Sequence, residues 1–297
     1  MRSSQRDELL IRRSEFCGCE WPVVVDSPSI PMQMKITASI LMLIPLLLIA
    51  SSRAEFPPTT KAATQNAPFV NSLGMKFVPV KIFGGPTKRK RILFCIWDTR
   101  VQDYAEYAKA KGIVSQKPKF PQDSTHPVVN VTRDEAEAFC DWLTATERTA
   151  RMIGEKDVYR LPSDHEWSCA AGIGRQENPE ESPQKKTGKI PGFPWGFTWP
   201  PPKGSGNIDP RGLADDFEYT SPVASFPGNA NGLYDMAGNV SQWCGDRFGN
   251  NSFAVLRGGS WQHYAAGELQ TSRRFFYGSS AKADWIGFRC ILEVSQY

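Results

Sequence analysis

Between Gly172 and Cys290 almost no stretch repeats its apolar residues at a fixed period, while Gly, Pro, Asn and Trp are scattered throughout. Turn-forming residues at that density interrupt helices and strands after a few positions. Such a half-chain argues against a doubly wound parallel sheet, which needs continuous apolar strands joined by long helices. It suits a compact α+β domain with long loops held by local polar contacts or bound ions. With 297 residues, 40% of them hydrophobic, a sizeable core is possible, and length alone permits one large domain or two small ones. No internal repeat of fixed period is present.

Ahead of Gly172 the pattern is more regular. FVNSLGMKFVPVKIF, from Phe69, alternates apolar and polar residues around a glycine and predicts a hairpin arm, with RILFCIWDTR as the next strand. The basic run Lys88 to Arg91 interrupts that hairpin and reads as a solvated turn. A helix over Arg100 to Gly112 places Val101, Tyr104, Ala105 and Ala108 on one face and ends at a glycine suited to the position after the helix. Thr132 and Glu135 form a capping box for a second helix, in which Ala136, Phe139, Cys140 and Leu143 recur at helical spacing. Ser163 and Glu166 open a short third helix carrying Trp167, Ala170 and Ala171. Residues 175–189 are polar and rich in Pro, Lys and Glu, and read as a surface insertion.

The apolar run ITASILMLIPLLLIA, Ile36 to Ala50, follows Lys35 and precedes Ser51-Ser52-Arg53-Ala54. A basic start, an apolar stretch and small residues before a cut fit a secretory signal peptide, with cleavage expected after Ala54 and Met32 or Met34 as the expected true start. The alternative is a retained anchor, for which the run is short against the roughly 20 residues of a bilayer span. Residues 55–68, Pro, Thr and Ala rich, read as a linker, and 69–297 as the domain. Export to a secreted or periplasmic location would expose Cys95, Cys140, Cys169, Cys244 and Cys290 to oxidation. Five is odd, so at least one thiol stays unpaired within the chain. The net charge of +4 comes from 35 basic and 31 acidic residues interspersed, which gives no nucleic-acid footprint. A membrane partner is expected only through the signal segment if it is uncleaved.

Several segments, in order and at matching spacing, resemble the formylglycine-generating enzyme, or sulfatase-modifying factor, family. They are NSLGMKFVPV, WDTRVQDYAEYAKAKG, HPVVNVTRDEAEAFCDWL, YRLPSDHEWSCAAG, PWG at Pro194, NGLYDMAGNVSQW at Asn231, LRGGSW at Leu256 and GFRC at Gly287. The resemblance spans nearly all of 69–293 and implies a single C-type-lectin-like domain, low in regular secondary structure. It also implies a disulfide between Cys140 and Cys290, and two calcium sites. The first would use Asn207, Ile208, Asp215 and Phe217, an amide, a carboxylate and two carbonyls suited to a hard cation. The second would use Asp235, Gly238, Val240 and Gln242. The family usually has Glu at the last position, so the amide weakens that site.

One departure concerns chemistry. The family makes formylglycine from a substrate cysteine with two cysteines after GGS(Y/W), which hold copper and activate oxygen. Here that segment reads QHYAAGELQTSRRFFYGSSAKADWI, with Thr271 at the second cysteine position and Ala266 near the first. Cu(I) requires soft thiolates, which hydroxyl and methyl groups do not replace, so copper is not expected. A related branch binds iron through three histidines, but His126, His165 and His263 show no such arrangement. The remaining cleft would be lined by Ser260, Trp261, His263, Tyr264, Arg273 and Arg274, with Trp195 and Trp243 nearby; the bland alternative for Trp195, Trp243 and Trp261 is the core. Aromatics beside an arginine pair suit an extended peptide or a glycan carrying an acidic group. The expected function is therefore an exported binding domain, non-catalytic or differently catalytic. The alternatives are a sulfatase-maturation oxidase recruiting other thiols, and a calcium-stabilised structural partner in an envelope complex.

Overall fold

A computed structural model describes residues 59–209, 211–212, 214–249 and 253–295; the expected signal segment lies outside them. Among the described residues no helix is long and apolar enough to cross a membrane. Five strands, β1 (Phe69–Val70), β2 (Lys76–Val80), β3 (Arg91–Cys95), β4 (Val158–Arg160) and β9 (Ile291–Val294), form an antiparallel sheet in the order β1-β2-β3-β9-β4. A second sheet, in the order β7-β6-β5-β8, contains β5 (Ser241–Arg247), β6 (Phe253–Arg257), β7 (Phe275–Gly278) and β8 (Ile286–Gly287). Its β5–β8 pair is parallel and its other pairs are antiparallel. The helices are α1 (Val101–Lys111), α2 (Arg133–Thr149), α3 (Asp164–Ala170) and the single turns α4 (Pro183–Lys186) and α5 (Ala266–Leu269). The architecture is the expected α+β fold with little regular structure.

Side-chain alternation divides the interior. In β3, Leu93 and Cys95 enter one apolar cluster with α1 and α2, while Ile92 and Phe94 enter a second with α3. β9 does the same with Leu292 and Val294 against Ile291, so the first sheet is buried on both faces.

Both expected capping boxes form. Glu135 N–H donates to Thr132 Oγ1 at 3.0 Å, and Glu166 N–H donates to Ser163 Oγ at 3.1 Å. Gly112, at φ 65°, ends α1 in the left-handed conformation that a Cβ would strain. The buried face of α1 differs from the expected one: Tyr104, Tyr107 and Ala108 point inward, while Ala105 is exposed.

Two segments, one read as linker and one as surface insertion, carry buried anchoring residues. Residues 59–68 place Thr60 and Ala63 in the interior, where Arg91 donates to the carbonyls of Thr60 and Ala63 at 3.0 and 2.6 Å. In the insertion 175–189, Glu177 and Lys186 are buried because each meets an opposite charge from the domain. Polar composition suggested solvent; the paired charges explain why burial is tolerated.

Candidate functional site

The segment after β6 begins with Gly258 and Gly259 at φ 91° and 70°. This reversal turns the chain so that Ser260 and His263 face each other. Ser260 N–H donates to His263 Nδ1 at 3.0 Å, and Ser260 Oγ lies 2.8 Å from the same nitrogen. A backbone N–H can only donate, so Nδ1 is the acceptor and the neutral ring carries its proton on Nε2. That nitrogen makes no hydrogen bond among the described residues. Burial lowers the His263 pKa, which keeps the ring neutral.

Around this pair runs an aromatic face. His263 packs at 4.7 Å from Phe275 and 5.7 Å from Trp285, and Trp285 meets Tyr277 at 5.3 Å. Trp261 is half-buried, donates Nε1–H to the Asp284 carbonyl at 3.3 Å and packs against Tyr219 at 5.2 Å. Tyr264 is exposed, with the Arg211 guanidinium over its ring at 4.7 Å. Sequence reasoning missed Tyr219, which meets Trp261 only through the fold, and Tyr277 and Trp285, which pair within the cleft segment itself.

The expected arginine pair is divided. Arg273 is exposed and lies over Phe275 at 5.3 Å. Arg274 is buried, donating to Asp164 at 2.9 and 3.0 Å and pairing with Glu177 at 2.7 Å. Arg274 is spent on buried carboxylates while Arg273 points outward just before β7, so the two guanidinium groups do not form one anion clamp. Arg257 and Lys186 complete the cluster, 2.6 and 2.7 Å from Asp164. Burial alone would raise the Asp164 pKa, but Arg257, Arg274 and Lys186 hold its carboxyl well below the usual carboxylate range.

Thr271 is buried, its N–H donating to Gly192 O and its carbonyl accepting from Arg257, each at 3.0 Å. Ala266 begins α5. All five cysteines of the domain are buried, Cys95, Cys140 and Cys290 in the first apolar cluster and Cys169 and Cys244 in the second, and none lies in this segment. The sulfurs of Cys140 and Cys290 face each other at 3.4 Å as free thiols, whereas a disulfide bond measures about 2.05 Å. The implied bridge is thus not formed in this structure.

The histidines lie in separate places. His126 Nδ1 is 3.0 Å from Thr220 Oγ1, and His165 Nε2 is 2.6 Å from the Phe83 carbonyl. Among the described residues no group of three or more His, Cys, Asp or Glu side chains is placed to hold a metal ion. Trp243 is wholly buried and donates to the Val131 carbonyl at 3.0 Å, so it belongs to the core. Trp195 is half-buried and stacks on Phe193 at 5.0 Å.

The two expected calcium sites differ in fit. At the first, Asn207 and Asp215 are buried, Asn207 Oδ1 has no hydrogen-bond partner, and Asp215 accepts from Ile208 and Phe217 N–H at 2.8 and 2.7 Å. Burial raises the Asp215 pKa, and the loop offers an orphaned amide oxygen beside that carboxylate. An orphaned amide oxygen and a carboxylate are the kind of hard oxygens a calcium ion takes, so Asn207 and Asp215 fit as ligands by their chemistry. At the second, Gln242 Oε1 accepts from Trp167 Nε1 at 2.8 Å and Arg289 Nε at 3.0 Å, and Gln242 Nε2 donates to the Asp235 carbonyl at 2.8 Å. Both lone pairs of the amide oxygen are occupied, so Gln242 does not fit as a ligand. Asp235 itself accepts from Ala224 N–H at 2.8 Å, and Gly238 and Val240 remain as backbone only. Arg289 was also missed; it reaches the carbonyls of Cys95 and Tyr234 at 3.0 and 2.6 Å and pairs with Asp98 at 3.5 Å.

Fold and site together define a sulfatase-modifying-factor type of domain. The profile described as the sulfatase-modifying factor enzyme 1-like domain matches residues 59–294, and the chain belongs to that family. It is 30% identical over 175 residues to the inactive C-alpha-formylglycine-generating enzyme 2 of Bos taurus, covering 55% of this chain and 49% of the relative. Over 158 residues it is 28% identical to the formylglycine-generating enzyme of Thermomonospora curvata, covering 51% and 45%. The chain spans about half or less of the length of these curated relatives. In solved structures, PvdO from Pseudomonas aeruginosa matches with a TM-score of 0.57 at 21% identity, covering 76% of this chain and 99% of that one. CarF matches with a TM-score of 0.54 at 21% identity, covering 75% and 100%. These two likenesses concern the fold alone.

Proposed function

We propose that this protein is an exported binding member of the family that does not make formylglycine with copper. The reading is carried by the segment after Gly259, where a buried imidazole and a buried threonine stand in a stretch without thiols. It is supported by the placement of all five domain cysteines in apolar clusters, where burial pushes the thiols of Cys95, Cys169, Cys244 and Cys290 up, that of Cys169 to about 11. A relative named as inactive is consistent with it.

The ligand is an extended peptide or a glycan laid along Trp261, Tyr264, Tyr277 and Trp285. His263 Nε2–H offers a donor to a carbonyl, carboxylate or hydroxyl oxygen, and Arg273 supplies the free positive charge. Calcium at Asn207, Ile208, Asp215 and Phe217 stabilises the loop that leads into this face; when bound, it supplies the positive charge that the buried Asp215 carboxylate otherwise lacks. Cys140 and Cys290 join in the oxidising compartment, and the segment up to and including Ala54 is removed on export.

The test is incubation of the purified protein with copper, oxygen and a cysteine-containing sulfatase-type peptide, followed by mass analysis of the peptide. Unchanged peptide is expected, and conversion to the aldehyde would overturn the reading. A peptide and glycan array probed with the wild type and with Trp261→Ala tests the binding surface. Hits lost in the variant support it, and hits retained at full strength remove that surface as the site.

A further inference from the structure

Three thiols, not two, lie in the first apolar cluster. Cys140 on α2 directs its sulfur at Cys290 from 3.4 Å, and Thr99 Oγ1 lies 3.7 Å from the same Cys290 sulfur. Cys290 has another neighbour across the sheet. The β3–β9 register pairs Leu93 with Leu292 and Phe94 with Ile291, so one step further Cys95 stands opposite Cys290, with Cys95 N–H donating to the Cys290 carbonyl at 3.1 Å. Residues paired in this way across an antiparallel ladder have Cα atoms about 5.5 Å apart, inside the roughly 4.4–6.8 Å range of disulfides. Alternation places Cys95 on the face of β3 that also receives Cys140 and Cys290.

We propose that Cys290 is a disulfide partner shared by Cys140 and Cys95, and that the bridge passes between them by thiol–disulfide exchange. The first bridge forms at the expense of a small disulfide such as oxidised glutathione: two protein thiols are oxidised and the small disulfide is reduced to two thiols. In the exchange itself Cys95 gives up its proton and its thiolate attacks the Cys290 sulfur. The Cys140–Cys290 bond breaks, and Cys140 leaves as a thiolate that takes up a proton, with no net oxidation. A cavity of about 390 Å³ beside Cys140, lined by Glu137, Asp141, Leu161, Ser163 and Asp246, gives the small disulfide a route from solvent. In one state α2 is tied covalently to the sheet. In the other the tie lies within the sheet and α2 is held by packing alone. Full burial of Cys95 and Cys290 raises both thiols, so exchange is slow at neutral pH and faster in alkali.

The experiment equilibrates the protein in mixtures of oxidised and reduced glutathione, quenches with acid, blocks free thiols and maps cross-linked peptides by mass spectrometry. The wild type is expected to yield Cys290 linked to Cys140 and, in a separate species, to Cys95. Cys140→Ala should yield only the Cys95 link and Cys95→Ala only the Cys140 link. Complete blocking of Cys95 as a free thiol in the wild type overturns the proposal, even if Cys140→Ala does not fold. So does a Cys290 link to Cys169 or Cys244. Neither result depends on what the cleft binds.

Discussion

The ion cluster around Asp164 and the aromatic face around Trp261 share the short segment 271–277, yet they are built on opposite plans. In the cluster the strong donors are used: Arg257 reaches Asp164, Ser168, Thr271 and Arg273, while Arg274 reaches Asp164, Glu177, Ser168 and Ser272. On the aromatic face donors are left over, namely His263 Nε2 and the exposed Arg273. A saturated network fixes the backbone from behind and has nothing to offer a ligand. The unsaturated face in front of it does.

The strongest way to break this contrast is to remove one partner from the cluster. Arg274→Ala leaves Asp164 and Glu177 short of charge in the interior and should cost about 3–5 kcal/mol, as breaking buried ion pairs does. Urea denaturation checks it, and a loss comparable to that of a surface residue would mean the network is not the support described. Acid sharpens the same point. Asp164 is depressed in the folded state, so its contribution is complete above the unfolded carboxylate pKa, about 3.9, and is lost as pH falls towards the lower folded value. Stability measured from pH 5 downward should fall in the wild type, and that component should be absent in Asp164→Asn.

A middle-sized effect is expected where the two regions are joined. Gly259→Ala places a Cβ at φ 70° and 3.0 Å from Leu269 Cδ2, and should cost about 1–2 kcal/mol from the left-handed backbone alone. Thermal unfolding with and without the substitution measures it. On the open side, Arg273→Ala should change stability by no more than about 0.5 kcal/mol while weakening any acidic ligand found for the cleft. The smallest signal is spectroscopic: nitrogen chemical shifts of His263 should report the Nε2–H tautomer at neutral pH, and a protonated Nδ1 would contradict the hydrogen bond from Ser260.

Much of the fold was legible before any coordinates. The capping boxes at Thr132 and Ser163 mark helix starts by local chemistry that needs no tertiary context, and the turn-rich second half announced irregular structure. The site was legible only in part. Arg273 and Arg274 look alike in a linear reading; which one is buried depends on Asp164 and Glu177, some 100 residues earlier, and no local signal reports that. Gln242 read as a weakened metal ligand because its position matched while an amide replaced the usual carboxylate, but its oxygen is spent on Trp167 and Arg289, both remote in sequence. Ala105 and Tyr107 exchanged places because a tyrosine packed on Phe139 and Trp142 of α2 buries more area than an alanine two residues away on the opposite face.

Strand β9 lies between β3 and β4 rather than at a margin of the first sheet. During synthesis on the ribosome β3 therefore waits, with one side of its backbone unpaired, for almost 200 further residues. Until β9 pairs, the hydrophobic strand Ile92 to Cys95 presents an open backbone edge, an aggregation hazard in any partly folded form of the domain.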